Sequence, residues 1–187
     1  MQLGPARVAI AAHVFYLDKV VDARDKPGHD ECTEGAHRMR TAEAEALDWI
    51  SQIYAVNPVA TLLGARPLAC DPALGRITIA FEAKPEFCNI LGTVQGGMLT
   101  AMLDLVMSFA ALSTMGGPGH VVPTVDMTTH FLSPARPGPI VGEGAVVKKG
   151  RTITFMEGRL RDGHGKLLTT ATASGTLMKW PRASSET

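Results

Sequence analysis

Apolar residues change their spacing several times along this chain, and each change predicts an element. From Thr41 to Val56 the residues Ala44, Leu47, Ile50, Ile53 and Tyr54 recur at helical intervals. A threonine N-cap and acids in the first turn complement the helix dipole, so a short amphipathic helix is expected there. After Pro58 the period shortens toward two. Arg76 to Phe81 alternates as a strand, and a loop through Lys84 and Pro85 then carries Phe87 and Asn89 toward a long apolar run. That run, Val94 to Thr114, reads as a helix that is apolar almost all round. Gly116-Gly-Pro-Gly119 breaks it. Downstream, Val121–Leu132, Gly142–Lys149, Thr152–Arg161 and Lys166–Met178 read as four strands, with hairpin turns at Lys149-Gly150-Arg151 and Asp162 to Gly165. One long helix and an antiparallel sheet large enough to wrap it give an α+β architecture.

Residues 1–40 differ from the rest, because Asp22 to Glu31 is charged, punctuated by Pro and Gly, and without an apolar period. They are expected to form a poorly structured extension, with the domain at 41–180 and a tail at 181–187. The extension resembles peptides encoded when bacterial interspersed repeats are read through, which would put the functional start nearer Met39. Val8 to Leu17 is short, contains His13 and lacks a small-residue cleavage site, so a signal peptide is not expected.

Charge and cysteine content narrow the function. Lys plus Arg and Asp plus Glu balance at 18 each, which argues against nucleic acid or an anionic membrane surface as a partner. The three cysteines, Cys32, Cys70 and Cys88, show no CxxC spacing, so neither a disulfide framework nor a zinc site is suggested, and a reducing cytoplasm fits. His120, His130 and His164 have no metal-ligand spacing, and no cofactor is called for. Met98 to Met115 approaches the length of a membrane span but carries Asp104 and lacks a basic flank, so a core helix is expected.

Asp104 is the residue that needs explaining, since an ionised carboxylate inside an apolar helix is costly unless something compensates. Its helical neighbours Gly97, Thr100, Ala101, Ser108 and Ala111 are all small, leaving room for a ligand or another backbone. A carboxylate held by Thr100 or Ser108, or at an exposed edge of the helix, is the alternative. Gly96 and Gly97 open the helix, where free N–H groups and the dipole favour negative charge such as the oxyanion of an attacked thioester. Asp104 lies about 12 Å further along the axis, too far to act on the same carbonyl. Two such helices antiparallel about a two-fold axis bring one copy's glycines beside the other's aspartate, which predicts a homodimer, or a homotetramer of paired dimers.

Asn89-Ile-Leu-Gly-Thr-Val-Gln-Gly-Gly97 with Asp104, Thr124-Val-Asp-Met127, Phe131-Leu-Ser-Pro134 and Lys149-Gly-Arg-Thr152 together resemble the hotdog-fold acyl-CoA thioesterases of the PaaI-like branch. The resemblance covers about residues 45 to 180. It implies a sheet of five to six strands around the central helix and an acyl-CoA substrate. It further implies Asp104 as general base or nucleophile, Gly96 as oxyanion donor, Asn89 placing the water or carbonyl, and Thr124 orienting the water. Gln95 stands where the family has histidine. Its amide donates a hydrogen bond without titrating, and some other hotdog thioesterases carry glutamine in a comparable role. The acyl pocket is expected near Phe87, Met98 and Met102, and Gly97 is expected to border the substrate. Lys148, Lys149 and Arg151 at a hairpin, with Arg136 on the preceding loop, are candidate holders of the coenzyme A phosphates; solvated hairpin cations are the alternative. Asp126 and Glu157 are expected to face outward. The rival function is a non-catalytic acyl-CoA-binding or sensor protein on the same scaffold.

Overall fold

The computed structural model describes residues 29–117 and 119–180, so the expectations for residues 1–28 and for the tail at 181–187 lie outside the described residues. Helix α1, His29–Val56, begins ahead of Thr41, which therefore lies inside the helix rather than at its cap. Ala46, Ile50 and Tyr54, four residues apart, form its buried face, while Ala44 is exposed. Helix α2, Pro58–Leu62, starts where the Asn57 side chain accepts from the Val59 and Ala60 amides, with Pro58 in the first turn, where its missing N–H costs nothing.

Strands β1 (Arg66–Asp71), β2 (Arg76–Ala83), β4 (Thr124–Phe131), β5 (Gly138–Lys149), β6 (Ile153–Asp162) and β7 (Leu167–Thr176) form one antiparallel sheet in the order β1-β2-β5-β6-β7-β4. A separate two-residue ladder pairs β3 (His120–Val121) with β8 (Met178–Lys179). Both expected hairpins are present. In the β6–β7 turn, Asp162 Oδ1 accepts from the His164 and Lys166 amides at 2.9 and 3.0 Å, and Gly165 takes φ +84°.

Helix α3, Gly96–Ser113, packs on one face of this sheet, chiefly against β5, β6 and β2. Its fit depends on strand glycines. A Cβ at Gly144 would collide with the Val106 carbonyl of α3, and one at Gly158 would stand 2.8 Å from Met107 Cγ. With no side chains in between, Leu103, Val106 and Met107 reach essentially complete burial. Each contributes roughly 1.5–3 kcal/mol by that burial. This long helix within a six-stranded antiparallel sheet is the expected α+β arrangement, and β4 is left as a sheet edge. Among the described residues α3 is the one helix long and apolar enough to cross a membrane; here it is the core helix against the sheet.

Candidate active site

Helix α3 shows two unlike faces. Leu99, Met102, Leu103, Leu105, Val106 and Met107 are buried against the sheet, whereas Gly97, Thr100, Ala101, Asp104 and Ser108 are only partly covered or exposed. The small-residue stripe is therefore the side the sheet leaves open, although it ends at Ser108 because Ala111 is buried. On this side Thr124 Oγ1, from the first residue of β4, donates to Asp104 Oδ1 at 2.5 Å. The Thr124 hydroxyl has a single proton, so Ser108 Oγ, 3.5 Å away, is the donor in their contact. Ser108 thus reaches the carboxylate through Thr124 and does not bind it directly. Asp104 Oδ2 has no partner among the described residues, and half-exposure leaves it open to a water or substrate atom.

The start of α3 is held from behind and left open in front. Gln95 N–H donates to the Phe87 carbonyl at 2.8 Å and Val94 N–H to the Ala135 carbonyl at 3.0 Å, anchoring the approach to the helix. Gln95 is the N-cap residue, yet its exposed side chain makes no capping bond. The Gly96 and Gly97 amides, in the first turn, have no acceptor among the described residues. A Cβ on Gly96 would lie 3.0 Å from the Phe131 ring, while one on Gly97 would meet nothing within 4 Å. Asn89 shapes the preceding loop. Its Oδ1 accepts from Leu91 N at 2.9 Å, Thr93 N at 3.3 Å and Thr93 Oγ1 at 3.2 Å, leaving only the Nδ2 donors for a ligand.

Two open grooves flank this helix start. One, of about 560 Å³, is lined by Glu86, Phe87, Cys88, Asn89, Ile90, Gln95 and Met98. The other, of about 360 Å³, runs along Thr93, Gly96 and Leu99 on one side and Phe131 to Ala135 on the other. Phe87 and Met98 border a cavity as expected, but Met102 does not, being completely buried in the core. The role of Phe131 was missed from sequence. Phe131-Leu-Ser-Pro134 carried resemblance without chemistry, and a bulky ring placed by a strand end beside a glycine is visible only in three dimensions.

The four candidate cations do not come together in one protomer. Lys148, Lys149 and Arg151 sit where β5 turns into β6, whereas Arg136 precedes the opposite end of β5. The strand's length separates them by on the order of 30 Å. Lys149 Nζ is committed to the Thr114 carbonyl at 2.7 Å, at the C-terminus of α3, where a cation complements the helix dipole. Arg136 is exposed and has no ion pair among the described residues. Asp126 and Glu157 are exposed, as expected.

Elsewhere, burial pushes the Cys70 thiol up to about 11, with the Ser113 hydrogen bond pulling the other way, so Cys70 stays a protonated core residue. Burial also drives the Tyr54 hydroxyl far above its ordinary range. Its ring meets Phe109 edge-on at 4.4 Å between centroids, and its oxygen has no hydrogen-bond partner among the described residues. No group of three or more His, Cys, Asp or Glu side chains among the described residues is placed to hold a metal ion.

Comparison with known proteins follows the same residues. The profile of the family described as "Thioesterase superfamily" matches residues 91–169, which include Gly96, Gly97, Asp104 and Thr124. A candidate esterase of Saccharolobus solfataricus is 30% identical over 105 residues, covering 56% of this chain and 74% of that protein. Human acyl-coenzyme A thioesterase 13 is 33% identical over 97 residues, covering 51% of this chain and 62% of that protein. Among solved structures, a candidate thioesterase related to phenylacetic acid degradation, from Ralstonia eutropha JMP134, superimposes with a TM-score of 0.63 at 33% identity, covering 68% of this chain and 98% of that one. By the matched range, the shared identity and the common fold, the chain belongs to the thioesterase superfamily.

Proposed function

We propose that this protein is a thioester hydrolase that cleaves short-chain, medium-chain or aryl acyl-CoA to the free acid and coenzyme A. The observation that carries the reading is Asp104: a half-exposed carboxylate in an apolar helix, with Oδ1 held by Thr124 and Oδ2 unspent. Related proteins bearing the names esterase and thioesterase support the reaction class. Asp104 Oδ2 takes a proton from a water, whose oxygen bonds to the thioester carbonyl carbon. The carbonyl oxygen becomes an oxyanion that accepts a hydrogen bond from the Gly96 N–H, with the Gln95 side-chain amide and Asn89 Nδ2 as further donors. When the oxyanion collapses, the C–S bond breaks and the departing thiolate takes the proton from Asp104. Direct attack by the carboxylate is the alternative route. Thr124 fixes the carboxylate so that one oxygen always faces the water.

Glycine and aspartate are about 12 Å apart on one helix, so the site is assembled from two copies, Gly96 of one beside Asp104 of the other. The expected protein is a homodimer or a homotetramer with two shared sites per dimer, working in a reducing cytoplasm. A screen of thiol release over acyl-CoAs of graded length and ring content tests the reading. Thiol is expected from at least one substrate and is lost in Asp104→Asn. Asp104 and Asn89 argue against a non-catalytic acyl-CoA sensor, the one rival that the exposed, non-titrating Gln95 leaves open. Tight acyl-CoA binding with no thiol release from any substrate would replace the enzyme reading with that one.

A further inference from the structure

Asp104 is firmly seated on α3, but Thr124 holds it from an insecure position. Thr124 is the first residue of the edge strand β4, its ladder partner is Gly175, and a register shift separates that rung from the next, Asp126 with Ser174. The connection from α3 includes Gly116, Gly117 and Gly119 at φ +74°, +145° and +96°, so its own backbone preferences fix little. What fixes it is the far end of the sheet. Thr176 N–H donates to the Pro123 carbonyl at 3.0 Å, Met178–Lys179 pair with His120–Val121, and Trp180 N–H donates to the Gly119 carbonyl at 2.9 Å. Between them, Leu177 N–H donates to the Thr152 carbonyl at 2.8 Å, which ties the same stretch to the hairpin ahead of β6. The fit is close where the two segments touch: a Cβ at Gly175 would stand 2.8 Å from Val122 Cγ1. Residues 177–180 therefore form a strap across residues 119–123. The strap grips by backbone bonds more than by side chains, since Leu177 packs against the core while Met178, Lys179 and Trp180 are exposed. A segment with so little buried apolar surface opens at a cost well below that of unfolding the sheet.

We propose that this strap is a latch on the candidate active site, setting how firmly Thr124 holds Asp104. With the strap closed, residues 119–123 are pinned, the Thr124 hydroxyl stays on Asp104 Oδ1, and Oδ2 keeps one direction. With the strap open, the glycines of the connection are free to turn, Thr124 leaves the carboxylate, and Oδ2 loses its aim. The strap lines neither groove beside the start of α3, and its ties run to residues 119–121 and Thr152, so it is a positioning element that acts through Thr124.

The kinetic test rests on the hydrolase reading, and a second test does not. Trp180→Pro removes the N–H that meets the Gly119 carbonyl, whereas Trp180→Ala keeps it and removes an exposed side chain. Trp180→Pro is expected to lower kcat for thiol release about tenfold with KM little changed, and Trp180→Ala to leave kcat as it was. Equal losses in the two variants, or no loss in Trp180→Pro, would overturn the latch. In a Thr124→Val background, Trp180→Pro is expected to cost nothing further. A second loss of the same size there would overturn the latch as well, because the strap would then act by a route other than Thr124. NMR needs no turnover. The three-bond couplings of Thr124 are expected to report a single χ1 rotamer in the unaltered protein and rotamer averaging in Trp180→Pro, with the amides of His120 to Val122 exchanging with solvent about tenfold faster in the variant. A single rotamer that survives Trp180→Pro overturns the latch even in a protein that releases thiol. Averaging and faster exchange in a protein that releases no thiol from any acyl-CoA support the latch, and the hydrolase reading alone fails.

Discussion

At its C-terminus α3 hands the Ala110, Ala111, Leu112 and Thr114 carbonyls to partners, and at its N-terminus it offers two glycine amides that no described residue takes. Ser113 Oγ and Thr114 Oγ1 donate to the Ala110 and Ala111 carbonyls at 2.8 Å each, Met115 N–H donates to Leu112 O at 2.9 Å, and Lys149 Nζ closes on Thr114 O at 2.7 Å. The Gly96 and Gly97 amides, by contrast, have no acceptor among the described residues, Gly96 lines a groove, and the exposed N-cap Gln95 makes no side-chain bond. Both ends belong to the same apolar helix and obey the same demand that backbone groups be satisfied. The end whose carbonyls are capped is structural; the end left open is the one the proposed function uses. Mid-helix, Asp104 repeats the contrast within one side chain, with one oxygen bonded and one free.

The sharpest way to break this comparison is Asp104→Asn. A nearly isosteric amide keeps the Thr124 contact and loses the base, so thiol release should fall about 10²–10⁴-fold with the melting temperature essentially unchanged. An equal fall in stability would make Asp104 a structural group. Gly97→Ala comes next. A Cβ there meets nothing within 4 Å in the protomer, and alanine favours the helix by up to about 1 kcal/mol. Thermal stability should hold or rise while kcat/KM drops about tenfold, because the new methyl occupies space meant for substrate or the second copy. Unchanged activity would show that nothing needs that space. At the completed end, Lys149→Met should cost about 1 kcal/mol, or a few degrees in melting temperature, and leave KM for acyl-CoA as it was. A raised KM would return Lys149 to the phosphate site. The smallest effect is expected from Tyr54→Phe. It removes a buried hydroxyl that has no partner, so denaturant stability should stay level or increase by a few tenths of a kcal/mol. A loss of more than about 1 kcal/mol would mean that this hydroxyl is also satisfied.

Helix α3 and the two hairpins were legible because their signals are local: an apolar run opened by glycines, and turn residues between alternating segments. Strand β1 was not. Arg66-Pro-Leu-Ala-Cys-Asp71 lacks alternation, carries a proline and pairs with β2 through a register shift between Pro67 and Ala69, all of which a sheet edge tolerates. The beginning of β5 was hidden for a similar reason, since Gly138-Pro139 reads as a turn and here is the first rung of the ladder with β2. At the site, resemblance singled out Thr124 as orienting the water, not as the partner of Asp104, and helix spacing identified the open face. The chain could not reveal that Asn89 spends its carbonyl on its own loop, or that Lys149 closes a helix, because each depends on where a distant backbone group ends up. For the same reason cations that looked like a cluster along the chain were separated by the full length of a strand.

The glycine bed beneath α3 has one further consequence. A helix resting on bare strand backbone at Gly144 and Gly158 has little slack to slide or roll, so the interval between its open amides and its carboxylate behaves as a rigid ruler rather than an adjustable hinge. In the dimer proposed above, any adjustment of the gap across which a thioester would react must therefore come from how two such rulers are laid side by side, which would make the contact between copies, more than anything inside one of them, the place where evolution can tune the rate.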